Sequence, residues 1–199
     1  MEKEFLADRL RVRIYPDRKS MGEAAAADIA AAIRRVLAEK ECCNMIFAAA
    51  PSQNEVLAAL AADKTVDFAR INAFHMDEYC GLAPSAPQGF GNFLRAAIFE
   101  KAPFRSVHYL NGNAADIPAE CARYGALLEA FPTDIVCLGI GENGHIAFND
   151  PPVANFRDPV LCKQVALDPV CREQQVHDGC FSALEQVPTH ALTLTVPAL

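Results

Sequence analysis

No apolar run in this chain approaches the roughly 20 residues that cross a bilayer. No apolar signal-peptide core follows Met1 either, because Met1 to Arg13 mixes charges of both signs. Both absences point to a cytoplasmic protein with no membrane partner. Clusters of Lys and Arg are missing too. Lys plus Arg number 18 against 25 Asp plus Glu, for a net charge of -7. Without a basic stripe, nucleic acid is not an expected partner. An anionic substrate stays open, since a local site can be positive on an acidic protein. The pattern CxxC never occurs among the eight cysteines, which removes the zinc-ribbon and thioredoxin-like readings. In a chain of this length with no export signal, those cysteines are expected to be free thiols. Internal repeats, low-complexity tracts and linkers are absent, so one domain is expected.

What is present is an ordinary globular composition. The 199 residues are 52% apolar and 22% charged, enough for a sizeable core. Strands are expected at Leu10–Tyr15, Met45–Ala50, Ile71–Met76, Val107–Leu110, Asp134–Ile140, Leu161–Leu167 and Ala191–Val196. Asp134–Ile140 reads as a central, buried strand. Helices are expected from Ser20 to Lys40 and from Ser52 to Ala62, each opened by an S-x-x-E capping box. Two more are expected over Gly89–Phe99 and Ile117–Ala130, with Pro118 tolerated in the first turn. Strands alternating with helices predict an α/β fold, Rossmann-like, with a mostly parallel sheet and helices on both faces.

Two polar runs stand where strands would end. Phe74 to Leu82 reads FHMDEYCGL, and Leu138 to Pro152 reads LGIGENGHIAFNDPP. Ligands of open α/β sheets bind outside the carboxyl ends of the strands. The two runs therefore predict one shared pocket built from Asp77, Glu78, Asn143, His145 and Asp150. Adjacent Asp77 and Glu78 point to opposite sides of an extended chain, so one can face a pocket while the other braces the loop. A partly desolvated carboxylate can act as a base. Gly139, Gly141 and Gly144 spell GxGxxG, but a dinucleotide fingerprint must open a helix, and Pro151 and Pro152 follow too soon. Those glycines better serve a tight loop that brings backbone N–H groups to a ligand and leaves His145 room. Asn143 or Asp150 could fix the tautomer of His145. Ser52, Gln53 and Asn54 at a helix start could bind an anion, or Ser52 could simply cap the helix.

FHMDEYCGL, LNGNAADIPAECARY (Leu110 to Tyr124), GIGENGHIAFNDPP and QVPTHALTLTVPAL are collinear, and together they resemble glucosamine-6-phosphate deaminase. The resemblance runs over nearly the whole chain. It implies the deaminase, ribose-phosphate isomerase and CoA-transferase type of fold. It implies an enzyme of carbohydrate metabolism that opens an amino-sugar phosphate, moves a proton between C2 and C1, and releases ammonia to leave fructose 6-phosphate. No metal or organic cofactor is implied; the partner is a sugar phosphate, and assembly into a homo-oligomer is left open. Asp77 matches the acid/base of the proton transfer, and His145 the ring-opening histidine. Asn143 stands where deaminases usually have Asp, and Asp150 where they usually have Glu. Glu78, Ser52, Gln53, Gly141 and Gly144 are the expected substrate-side residues. A basic phosphate ligand of the family would align near Asp178, which has the wrong sign; Lys163 and Arg172 are nearby substitutes in sequence. By resemblance, the single domain of residues 1–199 stops short of the family's last segment. Alternatives on the same fold are a 6-phosphogluconolactonase, another amino-sugar phosphate isomerase, or an inactive sugar-phosphate sensor. The lactonases typically carry Arg after the Asp-Glu pair, where this chain has Tyr79.

Overall fold

The computed structural model describes residues 1–199. It begins with an exposed hairpin of β1 (Lys3–Ala7) and β2 (Leu10–Ile14), turned through Asp8 at a φ of 54°. Helix α1 follows over Arg18–Glu39. Next comes β3 (Cys43–Phe47), then a 3-10 turn at Pro51–Gln53 leading into α2 (Asn54–Ala62). Strands β4 (Ile71–His75) and β5 (Asp77–Tyr79) are separated only by Met76. Helix α3 (Phe90–Leu94) runs on as a π-turn over Arg95–Phe99. The remaining elements are β6 (Ser106–His108), α4 (Ile117–Ala130), β7 (Ile135–Cys137), β8 (Cys162–Ala166), α5 (Pro169–His177) and β9 (His190–Leu194).

Strands β3 and β4 are buried at every position. Their side chains alternate between two cores. Cys43, Met45, Phe47, Ile71 and Ala73 enter one, while Ile46 and Phe74 enter the other. A parallel strand covered on both faces needs a largely apolar run; the buried polar pair in these strands is satisfied internally, Asn72 donating to Asn44 at 2.8 Å. The first core is roofed by α1, α2, α3 and the π-turn through Ala26, Ala30, Ile33, Leu57, Leu60, Leu94 and Ile98. The second is closed by α4 through Cys121, Tyr124 and Leu128. Buried Tyr124 ties α4 to the sheet: its hydroxyl lies 3.0 Å from the carbonyl oxygens of His75 and His108, and accepts the His75 N–H at 3.1 Å. With β6 beside β4 and β7 beside β3, the parallel order is β6-β4-β3-β7. This is the expected Rossmann-like α/β arrangement, with helices on both faces.

Other expectations are corrected. Leu10–Ile14 pairs with β1 in its own hairpin and does not join the parallel sheet. Strands β8 and β9 also leave it, forming an antiparallel sheet of order β5-β9-β8. Alternation identifies a strand, but not the sheet it joins. The strand β7 is an edge strand with three half-buried residues, and Ile140 beyond it is 75% exposed. Asp17, not Ser20, caps α1, accepting the Ser20 N–H at 2.7 Å. Ser52 caps nothing: it sits inside the 3-10 turn, and Glu55 pairs with Arg18 instead. Helix α5 escaped the periodicity reading, although Asp168 before Pro169 is a recognisable helix start.

Candidate active site

Three neighbouring parallel strands end on one side of the molecule. The chain leaves β3 towards Ala48–Ser52, β4 towards Met76 and Asp77, and β7 towards Gly139–Gly141. All of these residues line one cleft of about 240 Å³. Strand order runs from β3 outward to β4 and β6 on one side, and β7 lies on the other, so the cleft opens at the point where strand order reverses.

The pleat of β5 separates Asp77 from Glu78. Asp77 lines this cleft and is 7% exposed. Its carboxyl group makes no side-chain hydrogen bond. Burial, and then the neighbouring charge of Glu78, holds it well above the usual carboxylate range. Glu78 is not brought into the cleft. It borders a separate depression, and its carboxylate accepts the N–H groups of Tyr79 at 2.9 Å, Phe90 at 3.0 Å and Gly91 at 2.9 Å. Its side chain braces the start of α3. Tyr79 returns to the cleft side but is buried, with its hydroxyl donating to Gln175 at 2.9 Å.

The loop after β7 builds the facing wall. Gly144 takes a φ of +86° and donates its N–H to Gly141, whose own N–H reaches the His145 carbonyl, both at 2.9 Å. The turn lays the imidazole of His145 over Gly141, where a Cβ would overlap the ring. Gly141 and His145 line the cleft; Gly144 shapes the turn and does not. Behind the ring, Nδ1 lies 2.7 Å from Oδ1 of Asn143 and 3.2 Å from Oδ1 of Asp150. Both neighbours are acceptors, so the neutral ring carries its proton on Nδ1 and presents Nε2 as a base. Asn143 also donates to Asp150 at 3.0 Å, and Asp150 accepts the Asp168 N–H at 3.3 Å. Burial pushes the Asp150 carboxyl up, but the bonds from His145 and Asn143 outweigh it and hold the group below its usual range. Asn143 and Asp150 contact His145 from behind and do not line the cleft.

The other expected residues divide. Ser52 lines the cleft; Gln53 lies behind it, its amide 3.4 Å from the Ser52 hydroxyl. Asp178 does line the cleft. Neither basic substitute does: Arg172 donates to the carbonyls of Leu184 and Val187, and Lys163 to Val153 and Asp158. The cation that the cleft has is Arg18, at the start of α1. It bonds to the Pro51 carbonyl at 2.6 Å and to Glu55 at 2.8 and 2.9 Å. Nothing near Arg18 in sequence signals this, because α1 reaches the cleft only by packing on α2. Gln174 and Gln175 of α5 were also unforeseen on the lining, since α5 itself was.

Fold and cleft define an α/β protein with an acid and a histidine beyond the ends of two parallel strands, β4 and β7, that flank β3. The family model described as glucosamine-6-phosphate isomerases/6-phosphogluconolactonase matches residues 16–158. The chain belongs to this enzyme family. It is 35% identical to a glucosamine-6-phosphate deaminase of Listeria monocytogenes over 156 residues, covering 78% of this chain and 64% of that one. A deaminase of Bacillus cereus is 33% identical over 167 residues, covering 84% and 62%. One from Exiguobacterium is 37% identical over 129 residues, covering 65% and 49%. The chain thus spans about half to just under two thirds of the length of these relatives. Among solved structures, a monomeric glucosamine-6-phosphate deaminase superposes with a TM-score of 0.81 at 28% identity, covering 92% of this chain and 74% of that one. A 6-phosphogluconolactonase of Thermotoga maritima shares the fold, with a TM-score of 0.73 at 19% identity over 94% and 78%. No helix is long and apolar enough to cross a membrane.

Proposed function

We propose that this cleft converts an amino-sugar phosphate, glucosamine 6-phosphate, to fructose 6-phosphate and ammonia. The observation that carries the reading is that Asp77 and His145 line one cleft, each with a reactive atom that no protein group occupies. His145 takes the proton of the O1 hydroxyl and returns a proton to the ring oxygen, opening the ring to the aldehyde. Asp77 removes the proton from C2 and delivers it to C1. The imine left at C2 takes up water and expels ammonia. Arg18 and the Ser52 hydroxyl hold the phosphate at the far end of the cleft. The raised affinity of Asp77 for protons suits a group that must both take and return one. The sequence relatives, deaminases in each case, favour this substrate.

The test is to incubate the folded protein with glucosamine 6-phosphate and follow ammonia and fructose 6-phosphate together. Both are expected in equal amounts. A folded sample that makes neither contradicts the reading.

A further inference from the structure

We propose that His145, Asp150 and Cys171 form a binding site for a soft divalent cation of the zinc or cobalt class. A ring nitrogen, a carboxylate oxygen and a thiol sulfur, one from each residue, all lie within 4.8 Å of one another. This mixed N, O, S set is one that zinc and cobalt take and that magnesium and calcium do not. Metal–ligand distances of about 2.0–2.3 Å require the donors of a tetrahedral site to stand roughly 3.3–3.8 Å apart. Closing that gap takes side-chain movement of about an ångström, not movement of the backbone.

The surroundings favour an ion. Asp150 and Cys171 are 1% and 0% exposed, so two of the three donors are already desolvated. The second oxygen of Asp150 is steadied by the Asp168 N–H, the kind of outer contact that orients a metal ligand. Nδ1 of His145 faces Asp150 behind the ring at 3.2 Å, so the ion sits on the buried side of the imidazole, away from the cleft that His145 lines. Cys171 stands in the first turn of α5 and has no part in the proposed reaction. The ion takes Cys171 as its thiolate, so binding displaces the thiol proton. It also draws Nδ1 of His145 away from Asn143. On the function proposed above, the ion is therefore an inhibitor and not a cofactor.

Chelator-treated protein titrated with cobalt(II) tests the site. One tight ion per chain is expected, with a thiolate-to-cobalt charge-transfer band in the near ultraviolet. Calorimetry in buffers of different ionisation enthalpy should read about one proton released per ion. Cys171→Ser should abolish the band and weaken binding by at least about tenfold, with metal-free activity unchanged. A band that survives Cys171→Ser places the ion on other cysteines and overturns the proposal. So does the lack of tight binding or of proton release in the parent protein. Should Cys171→Ser fail to fold, His145→Gln must weaken cobalt binding by about tenfold; unchanged affinity there overturns the site equally.

Discussion

The side chain of Asn143 joins His145 to Asp150. Its carbonyl oxygen lies 2.7 Å from Nδ1 of the imidazole, and its amide nitrogen 3.0 Å from Oδ1 of Asp150. One residue thus accepts on one side and donates on the other. A carboxylate at position 143 could do the first but not the second. Asn143→Asp would set two carboxylates at hydrogen-bond distance with only the Nδ1–H of His145 to share between them. The expected cost in stability is about 1–3 kcal/mol at neutral pH, shrinking as acid protonates one of the pair. Urea unfolding at several pH values measures it. A variant as stable as the parent at neutral pH would show that the amide bond to Asp150 contributes nothing.

How much of this was legible beforehand depends on how local each feature is. The buried strands β3 and β4 were plain as apolar runs. The opposite facing of Asp77 and Glu78 follows from the pleat, and the His145 loop from its glycines. The substrate-side reading of Glu78 was not safe, because the N–H groups of Phe90 and Gly91 that occupy it come from a helix 12 and 13 residues on. Arg18 was invisible, since only the packing of α1 on α2 brings it to Pro51. The capping box at Ser52 was misread because Glu55, whose carboxylate a box would turn back to its own helix start, is held by Arg18 from outside. Sequence spacing carries contacts along an element well and contacts between elements poorly.

Asp77 should trade stability for chemistry. In the folded chain its carboxyl binds protons more tightly than in the unfolded one. Such a group costs stability progressively as pH rises from the unfolded carboxylate value, about 4, up to the raised folded value. Asp77→Asn removes that cost. The variant should melt above the parent at pH 8, and the gap should close towards pH 4. On the proposed function it should also lose about 10²- to 10⁴-fold in turnover, with no exchange of the C2 proton into solvent. Paired melting curves at the two pH values are decisive: a gap independent of pH would mean that the carboxyl is not strained by its burial.

Gly141 tests the placement of His145. A methyl group there would overlap the imidazole, so Gly141→Ala should drive the ring off its position. Overpacking of this kind costs about 1–3 kcal/mol, and the fold should survive it. Activity should fall by at least about tenfold, because the base no longer sits where the loop aims it. Circular dichroism and steady-state kinetics on the same sample separate the two effects. Full turnover in a folded Gly141→Ala protein would show that the imidazole position over Gly141 is not the working one.

Arg18 is expected to sort substrates by their phosphate. Its guanidinium already meets Glu55 with Nε and Nη2, and Pro51 with Nη2, which leaves Nη1 to turn towards an anion at Ser52. The pairing with Glu55 lies on an exposed surface, so Arg18→Gln should change the melting temperature little. The loss should appear in binding instead. KM for glucosamine 6-phosphate should rise by about tenfold, the scale of one charge-assisted hydrogen bond, with kcat nearly unchanged. Unphosphorylated glucosamine, assayed at high concentration, should be handled equally by parent and variant. Equal losses on both sugars would show that Arg18 shapes the cleft without reading the phosphate. An unchanged KM would remove it from the site altogether, and leave Ser52 and the start of α2 as the place where an anion binds.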